Sequence, residues 1–329
     1  MFDETRSLGI FYEHPDWYRP LFQELDRRGI DYEAVPADSH VFDPSETSSR
    51  YGVVFNRMSP SAHTRGGAHL LSYTTQYLAH LERLGVRVIN GRAAWATEVS
   101  KAQQLTLLER LGLAYPRARV IHRSAQARDA AEGLRFPVVV KPNVGGSGAG
   151  IRRFDRPAAL ESAARHGDIE LGVDSTALVQ EYIEPADGRI IRVEVLNGRY
   201  LYAIRVYTTG DTFNLCPADV CQDIDGGELV RGACAANAPK NGLRVEAYTP
   251  PPLIVSAVER LLAAAGIEIG GVEYLVDPRD GRPYFYDINA LSNFVADARR
   301  VLGYDPFVRL VDWLEAEIAL KGCVLGAPL

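Results

Sequence analysis

Two stretches of this 329-residue chain carry residue types suited to chemistry on phosphates. The first is PVVVKPNVGGSGAGI, residues 137–151, where an apolar run ends on Lys141 and four glycines follow within the six residues 145–150. Gly145, Gly146, Gly148 and Gly150, with Ser147 between them, leave backbone N–H groups free of Cβ obstruction, so phosphate oxygens can approach and Lys141 can neutralise one of them. The pattern is neither GxxxxGK[ST] nor a GxGxxG opening a helix, and a hairpin loop beside a solvated lysine has the same composition. The second stretch is GGVEYLVDPRDGRPYFYDINA, residues 270–290. It puts Glu273 on one strand of a hairpin, and Asp287 and Asn289, two apart and so on one face, on the other. Three hard oxygen ligands suit Mg2+, or Mn2+ in its place, with phosphates and water completing the shell. An exposed face with ordinary charges is the alternative, yet YFYDINA is otherwise apolar and aromatic, and a buried acid there needs a partner.

The elements that must position these residues can be read from periodicity. SLGIFYE (7–13), WYRPLFQELDRRG (17–29) and DYEAVPA (31–37) read as strand, helix, strand, which implies a parallel sheet. YGVVFNRMSPS (51–61) reads as a buried strand breaking into a polar loop, residues 70–85 as a helix with Leu71, Leu78, Leu81 and Leu84 on one side, and VRVINGR (86–92) as another strand. Ligands of open parallel sheets sit beyond strand C-termini, so NRMSPS, with Arg57 and Ser59, and NGR are expected binding loops. An arginine offers a bidentate fork to a carboxylate; a surface turn with one solvated arginine is the plainer reading. After Ser100, which should cap the helix SKAQQLTLLERLG, come strands at 118–122 and 136–141 flanking a helix capped by Ser124. The helix DRPAALESAARHG and the strand TALVQEYIEP follow. Asn197-Gly198 then marks a tight hairpin, GRIIRVEVLNGRYLYAIRVYT, and a helix at 251–266, the carboxylate hairpin and a C-terminal amphipathic helix complete the chain.

Composition bounds the rest. At 47% hydrophobic and 24% charged, the chain is globular rather than disordered. Its net charge of −6 and pI near 5.7 exclude the basic face a nucleic-acid protein needs. No apolar run reaches the ~18 residues of a membrane helix, and the acidic start MFDETRSLGIF is unlike a signal peptide, so a cytoplasmic protein is expected. Cys216 and Cys221 in CPADVC have a spacing seen in zinc knuckles, but no matching Cys or His pair follows, and free thiols lining a site fit better than a nucleophile without a histidine.

Taken in order, Lys101 in VSKAQQ, Lys141 in VVVKP, the glycine loop, LVQEYIE, Arg192 and Arg205 on the hairpin, and Glu273 with DIN resemble the ATP-grasp superfamily. Within it the similarity is to RimK-like and glutathione-synthetase-like carboxylate–amine ligases. The resemblance implies α/β and α+β architecture: a parallel pre-ATP-grasp domain (1–99), a small subdomain with a glycine-rich lid (100–184), and a C-terminal subdomain with the metal site (185–329). It implies ATP with Mg2+. Lys101 and Lys141 would reach the α- and β-phosphates, and 145–150 would close over the β- and γ-phosphates. In the adenine hinge Glu181, Tyr182, Ile183 and Glu184, Glu181 would accept from the adenine amino group, the Ile183 backbone would hold the ring edge, and Glu184 would face the ribose. Arg192 and Arg205 would hold the γ-phosphate and acyl-phosphate oxygens, with Asn214 as a phosphate or metal neighbour.

Departures from the family pattern are Ile190 where relatives carry Asp, with Asp187 nearby as a substitute, D-x-N for E-x-N, and ALSNF for a proline-glycine turn. Arg57, Ser59 and Asn293 are expected at the substrate, with Arg65 and Arg299 as further candidates. The implied activity joins a small carboxylate substrate to an amine through an acyl phosphate. A small-molecule kinase and an ATP-binding module without turnover are the other readings. Similar proteins are often homodimers.

Overall fold

The computed structural model describes residues 6–145, 148–207, 221–222, 228–229 and 244–325. Strands β1 (Arg6–Tyr12), β2 (Tyr32–Pro36), β3 (Tyr51–Arg57) and β4 (Arg87–Ile89) form an all-parallel sheet in the order β2-β1-β3-β4. The first helical stretch divides in two: a 3-10 turn at Pro15–Tyr18, then α1 (Arg19–Arg28), which stops at Gly29 with φ 66°. Helix α2 (Ala68–Arg83) buries Leu70, Leu71, Tyr77, Leu78 and Leu81 in a cluster with Phe11 and Val54 of the sheet. The expected polar loop after β3 is a buried 3-10 helix, Pro60–Arg65, because Ser59 Oγ accepts from Ser61 N at 3.1 Å and caps it.

A second, antiparallel sheet, ordered β5-β8-β6-β7, contains β5 (Ala118–Ile121), β6 (Val138–Pro142), β7 (Arg152–Phe154) and β8 (Ala177–Glu181). Helices α3 (Arg92–Glu98) and α4 (Lys101–Arg110) precede it, while α5 (Ala127–Ala130) and α6 (Pro157–His166) cover it. Ser100 caps α4 as expected. Ser124 does not cap its helix: Gln126 Oε1 takes that place, accepting from His122 N and Arg123 N at 2.9 and 3.0 Å, and Ser124 Oγ donates to Ala164 O. A longer side chain can reach back over the turn and meet two orphan N–H groups at once.

The third sheet, β13-β10-β9-β14-β15, is antiparallel and unites β9 (Arg189–Leu196), β10 (Arg199–Tyr207), β13 (Val245–Tyr248), β14 (Ile269–Val276) and β15 (Pro283–Asn289); β11 (Cys221–Gln222) and β12 (Glu228–Leu229) pair separately. The Asn197-Gly198 turn has φ of 52° and 68°, as the tight hairpin requires. Period-2 alternation splits the sheet into two faces. Ile191, Val193, Val195, Ala203 and Val272 pack against α4 and α7 (Pro252–Ala265). Ile190, Leu196, Ile204 and Leu275 face Leu8, Ile10, Val53 and Phe55 of the parallel sheet, with Leu310, Val311 and Leu314 of the C-terminal helix (Pro306–Leu325) in the same core. Arg192 and Glu194 therefore project from an apolar face at the junction between the parallel sheet and the third sheet.

Asn90 ties that junction together. Its Nδ2 donates to Ile269 O and Ala290 O at 2.6 and 2.7 Å, and its Oδ1 accepts from Glu268 N and Ile269 N at 2.9 and 3.3 Å. With its side chain fully engaged and 1% exposed, Asn90 is a structural clasp, so NGR is not the ligand loop expected. Asn90→Ala should cost about 3 kcal/mol, because buried carbonyls and N–H groups lose their partners and the position keeps φ 53°. Urea denaturation midpoints of the two proteins check this.

Candidate active site

Lys101 is the first residue of α4, and two polar residues fix where it starts. Ser100 Oγ accepts from Gln103 N at 3.2 Å, and Asn143, just past β6, accepts through Oδ1 from Ala102 N at 2.8 Å and Ser100 Oγ at 3.2 Å. The Lys101 N–H reaches Asn143 O at 3.2 Å, and Asn143 Nδ2 donates to Asp174 at 2.7 Å. The strand bearing Lys141 and the helix bearing Lys101 are thus pinned at one point. The glycine loop begins there too: a Cβ on Gly145 would stand 3.0 Å from Lys101 Cε. Gly148 and Gly150 have φ of 70° and 73°, left-handed values that suit glycine.

Across from the lysines lies the carboxylate hairpin. Glu273 and Asp287 are direct register partners, and a bulge beside Glu273 turns Tyr286 toward the same side, where its OH donates to Glu273 at 2.9 Å. Lys101 Nζ pairs with Asp287, and Asn289 Nδ2 donates to Asp287 at 3.2 Å. Arg192 bridges the acids: Nη1 lies 3.1 Å from Glu273 and Nε 2.5 Å from Glu194. Gly271 makes that bridge fit, since a Cβ there would sit 2.8 Å from the Glu194 carboxylate and 2.9 Å from Arg192 Nε.

Burial and charge set the protonation states. Burial, then repulsion from Lys101, pulls the Lys141 ammonium down to about 7. Burial also opposes the Lys101 charge, but Asp287, Glu98 and Glu273 outweigh it and hold that ammonium above its ordinary value. Burial pushes Asp287 up, yet Lys101 and Lys141 more than reverse this and keep it ionised. Burial raises Glu273 despite Arg192, with Asp287 adding to the rise, and pushes Glu98, which accepts from Ala290 N, up to about 7. Among the described residues no three His, Cys, Asp or Glu side chains form a metal cage of their own. Two carboxylates and an asparagine fit an ion such as Mg2+ that brings phosphate and water ligands with it.

Comparison with known proteins follows the same outline. Residues 98–216 match the RimK-like ATP-grasp domain. A probable alpha-L-glutamate ligase of Teredinibacter turnerae is 30% identical over 142 residues, 43% of this chain and 46% of that protein. The match thus spans a little under half of that relative. A probable alpha-L-glutamate ligase of Enterobacter sp. is 27% identical over 252 residues, covering 76% of this chain and 75% of that one. The structure of the ATP-grasp ligase PsnB, complexed with a minimal precursor, superimposes with a TM-score of 0.65 over 95% of this chain and 99% of that one, at 18% identity. The chain has the ATP-grasp fold, with a RimK-like ATP-grasp domain at residues 98–216. No helix among its described residues is long and apolar enough to cross a membrane.

Within this ATP-grasp fold several expected residues sit differently. Arg205 is on the opposite sheet face from Arg192: its register partner is Ile191, and its guanidinium stacks 3.9 Å from the Tyr248 ring centroid. Val206, wholly buried, occupies the neighbouring place on the face of Arg192. Glu181 ends β8, but its carboxylate accepts from Arg135 N at 2.9 Å and faces the Arg135 and Arg117 guanidinia at 3.4 and 3.5 Å, so it is already engaged. Ile183 is buried in the core with Ile190 and Leu275, and Tyr182 stacks under Arg153. Glu184 is exposed, 3.9 Å from Arg153, and Asp187 pairs with Arg189 at 2.8 Å.

Arg57 is not a surface turn residue. It is 1% exposed, stacked at 5.0 Å on both Tyr18 and Phe55, and its Nη2 donates to Ser292 O and to Asn293 Oδ1, the latter at 3.1 Å. Ser59 is taken up by Ser61, Arg65 by Glu13 at 2.6 and 2.9 Å, and Arg299 is exposed 3.9 Å from Asp305. Gly146, Ser147, Asn214 and Cys216 lie outside the described residues. Glu98, Asn143, Glu194 and Tyr286 join the cluster without having been singled out by sequence; Glu194, an acid two places from Arg192 in an apolar strand, carried the one usable signal.

The buried charges predict an uncommon pH profile for the nucleotide-free protein. Glu98 has a folded pKa near 7 against an ordinary 4.5, so its contribution to stability is full below 4.5 and lost as pH rises through 7. Lys141, near 7 against 10.5, does the reverse: the unfolded chain holds more protons between those values, so stability grows as pH rises from 7. Urea midpoints at pH 5, 7 and 9 should show Glu98→Gln flattening the acid-side fall and Lys141→Met flattening the alkaline-side rise.

Proposed function

We propose that this chain is an ATP-dependent ligase that activates a small carboxylate substrate as an acyl phosphate and joins it to an amine of amino-acid type. The observation carrying this reading is the convergence of Lys101, Lys141, Arg192, Glu273, Asp287 and Asn289 on one largely buried spot beside the glycine loop. Bound Mg2+ and ATP supply a transferable γ-phosphoryl group and countercharge for it. Glu273, Asp287 and Asn289 would hold the metal, whose charge would offset that of the phosphates. Lys101 and Lys141 neutralise the phosphate chain, and in doing so Lys101 exchanges Asp287 for phosphate. The glycine loop that Gly145 opens and Gly148 and Gly150 close would exclude water, which would otherwise hydrolyse the acyl phosphate. The substrate carboxylate oxygen attacks the γ-phosphorus as ADP leaves; the amine nitrogen then attacks the acyl carbon, phosphate leaves, and the amine gives up a proton. Arg192, fixed by Glu194 and Glu273, is placed to stabilise the transferring oxygens.

The hinge role falls to the backbone of Glu181 and Ile183, with Tyr182 and Glu184 bordering it, because the Glu181 carboxylate is held by Arg135 and Arg117. Arg205, on the far face, is left out of phosphate binding.

The test is phosphate release from ATP and Mg2+ with pooled amino acids and dipeptides, hydroxylamine being added in parallel to trap the acyl phosphate. ADP with an amide or hydroxamate is the expected product; a phosphorylated substrate without free phosphate would make the protein a kinase. Asp287→Asn should lower turnover about 100-fold or more, as loss of one electrostatic stabiliser commonly does.

A further inference from the structure

The junction between the parallel sheet and the third sheet holds two buried, opposite charges that the reaction above does not fully use, Arg57 at the end of β3 and Glu194 on β9. Arg57 is 1% exposed, and its Nε and Nη1 have no hydrogen-bond partner among the described residues. Glu194 is equally buried; one oxygen accepts from Arg192 Nε at 2.5 Å, and Oε2 has no partner among the described residues. Glu194 acts on the Arg57 guanidinium through space, yet no ion pair within 4.0 Å joins them. Buried polar groups are normally paired and buried charges hydrogen-bonded, so unmet donors on Arg57 and an unmet acceptor on Glu194, near enough for each charge to act on the other, call for a molecule carrying both opposite charges.

We propose that Arg57 and Glu194 are the two poles of an acceptor subsite for a zwitterionic α-amino acid, whose carboxylate meets the unmatched Arg57 N–H groups and whose amino group meets Glu194 Oε2. This rests on the ligase reading. A carboxylate to be phosphorylated must lie at Glu273 and Asp287, so one held on Arg57 survives the reaction, and its owner reacts through nitrogen. Arg192 spans Glu194 and Glu273 at 2.5 and 3.1 Å, which puts an amino group on Glu194 one side chain from the acid pair. The way in is through Asn293. It holds Arg57 from one side and lines a cavity of about 640 Å³ with Trp17, Phe294 and Phe307 on the other, so swinging it outward opens the guanidinium to that cavity. Phe294 and Asp297 in the same loop have φ of 57° and 51°, conformations bulky residues avoid and which collect at ligand clamps.

Glu194→Gln keeps an oxygen for Arg192 and removes the charge; Arg57→Lys keeps the charge and removes the fork. Both are assayed with two nucleophiles, free α-amino acids and hydroxylamine, which has neither pole. Each variant should raise the amino-acid KM about 10- to 100-fold, the effect of one charge-assisted hydrogen bond, and the loss with amino acids should exceed that with hydroxylamine by roughly tenfold or more. Replacing the acceptor carboxylate by a carboxamide should weaken the wild type strongly and Arg57→Lys little further. Equal losses with both nucleophiles, or a carboxamide as good as the acid, would overturn the subsite while leaving the ligase intact. A wild type that forms neither amide nor hydroxamate would remove the ligase reading and the subsite with it.

Discussion

The pairing of Lys101 with Asp287 is the interaction on which the rest depends. It joins the start of α4, which Asn143 pins to the end of β6, to β15, and so links the second sheet to the third at a place where neither charge could stand alone. Removing one member of a buried pair leaves the other unmatched at a cost of several kcal/mol, whereas exchanging it for a different opposite charge does not. A polyphosphate with its cation offers that exchange: phosphate oxygens for the lysine, a metal for the carboxylate. The arrangement is therefore stable without a ligand and disposed to take this kind of ligand.

Around that pair the fold supplies rigidity where it is needed. Asn143 locks the β6 terminus to the α4 terminus, Asn90 locks the parallel domain to the β14 and β15 ends, and Gly271 allows Arg192 and Glu194 to lie flat against the sheet. The two asparagines are short side chains that meet backbone groups on neighbouring elements, and the glycine leaves the room that the two long side chains need. The lysines, acids and Arg192 consequently reach one spot from α3, α4, β6, β9, β14 and β15.

Much of this was legible in the sequence because it follows from strict periods. Alternation put Asp287 and Asn289 on one face, and Ser100 announced the helix that presents Lys101. Arg205 shows where periodicity fails. With a two-residue turn at Asn197-Gly198, Leu196 faces Arg199 and Val195 faces Tyr200; continued unbroken, this register would put Arg205 opposite Ile190, on the face of Arg192. A bulge between Tyr200 and Tyr202 shifts the pairing by one residue, so Arg205 meets Ile191 and turns to the other side. Nothing in RYLYAIRVY marks that extra residue. The surroundings of Arg57 and Glu98 were opaque for a different reason: their partners Ser292, Asn293 and Ala290 lie far away in the chain, and whether a charge is met or unmet is decided only by tertiary packing. Glu181 likewise reads as a hinge residue until Arg117 and Arg135 are seen to claim its carboxylate.

The most direct measurement is calorimetric titration of the protein with Mg2+ alone, with a non-hydrolysable ATP analogue alone, and with both. Since Lys101 occupies Asp287 and no self-sufficient metal cage exists among the described residues, Mg2+ alone should give little heat, the two together should bind far more tightly than either, and Asp287→Asn should abolish that synergy. Tight binding of Mg2+ without nucleotide, or nucleotide affinity indifferent to Mg2+ and to Asp287, would contradict a site built on exchange of the Lys101–Asp287 pair.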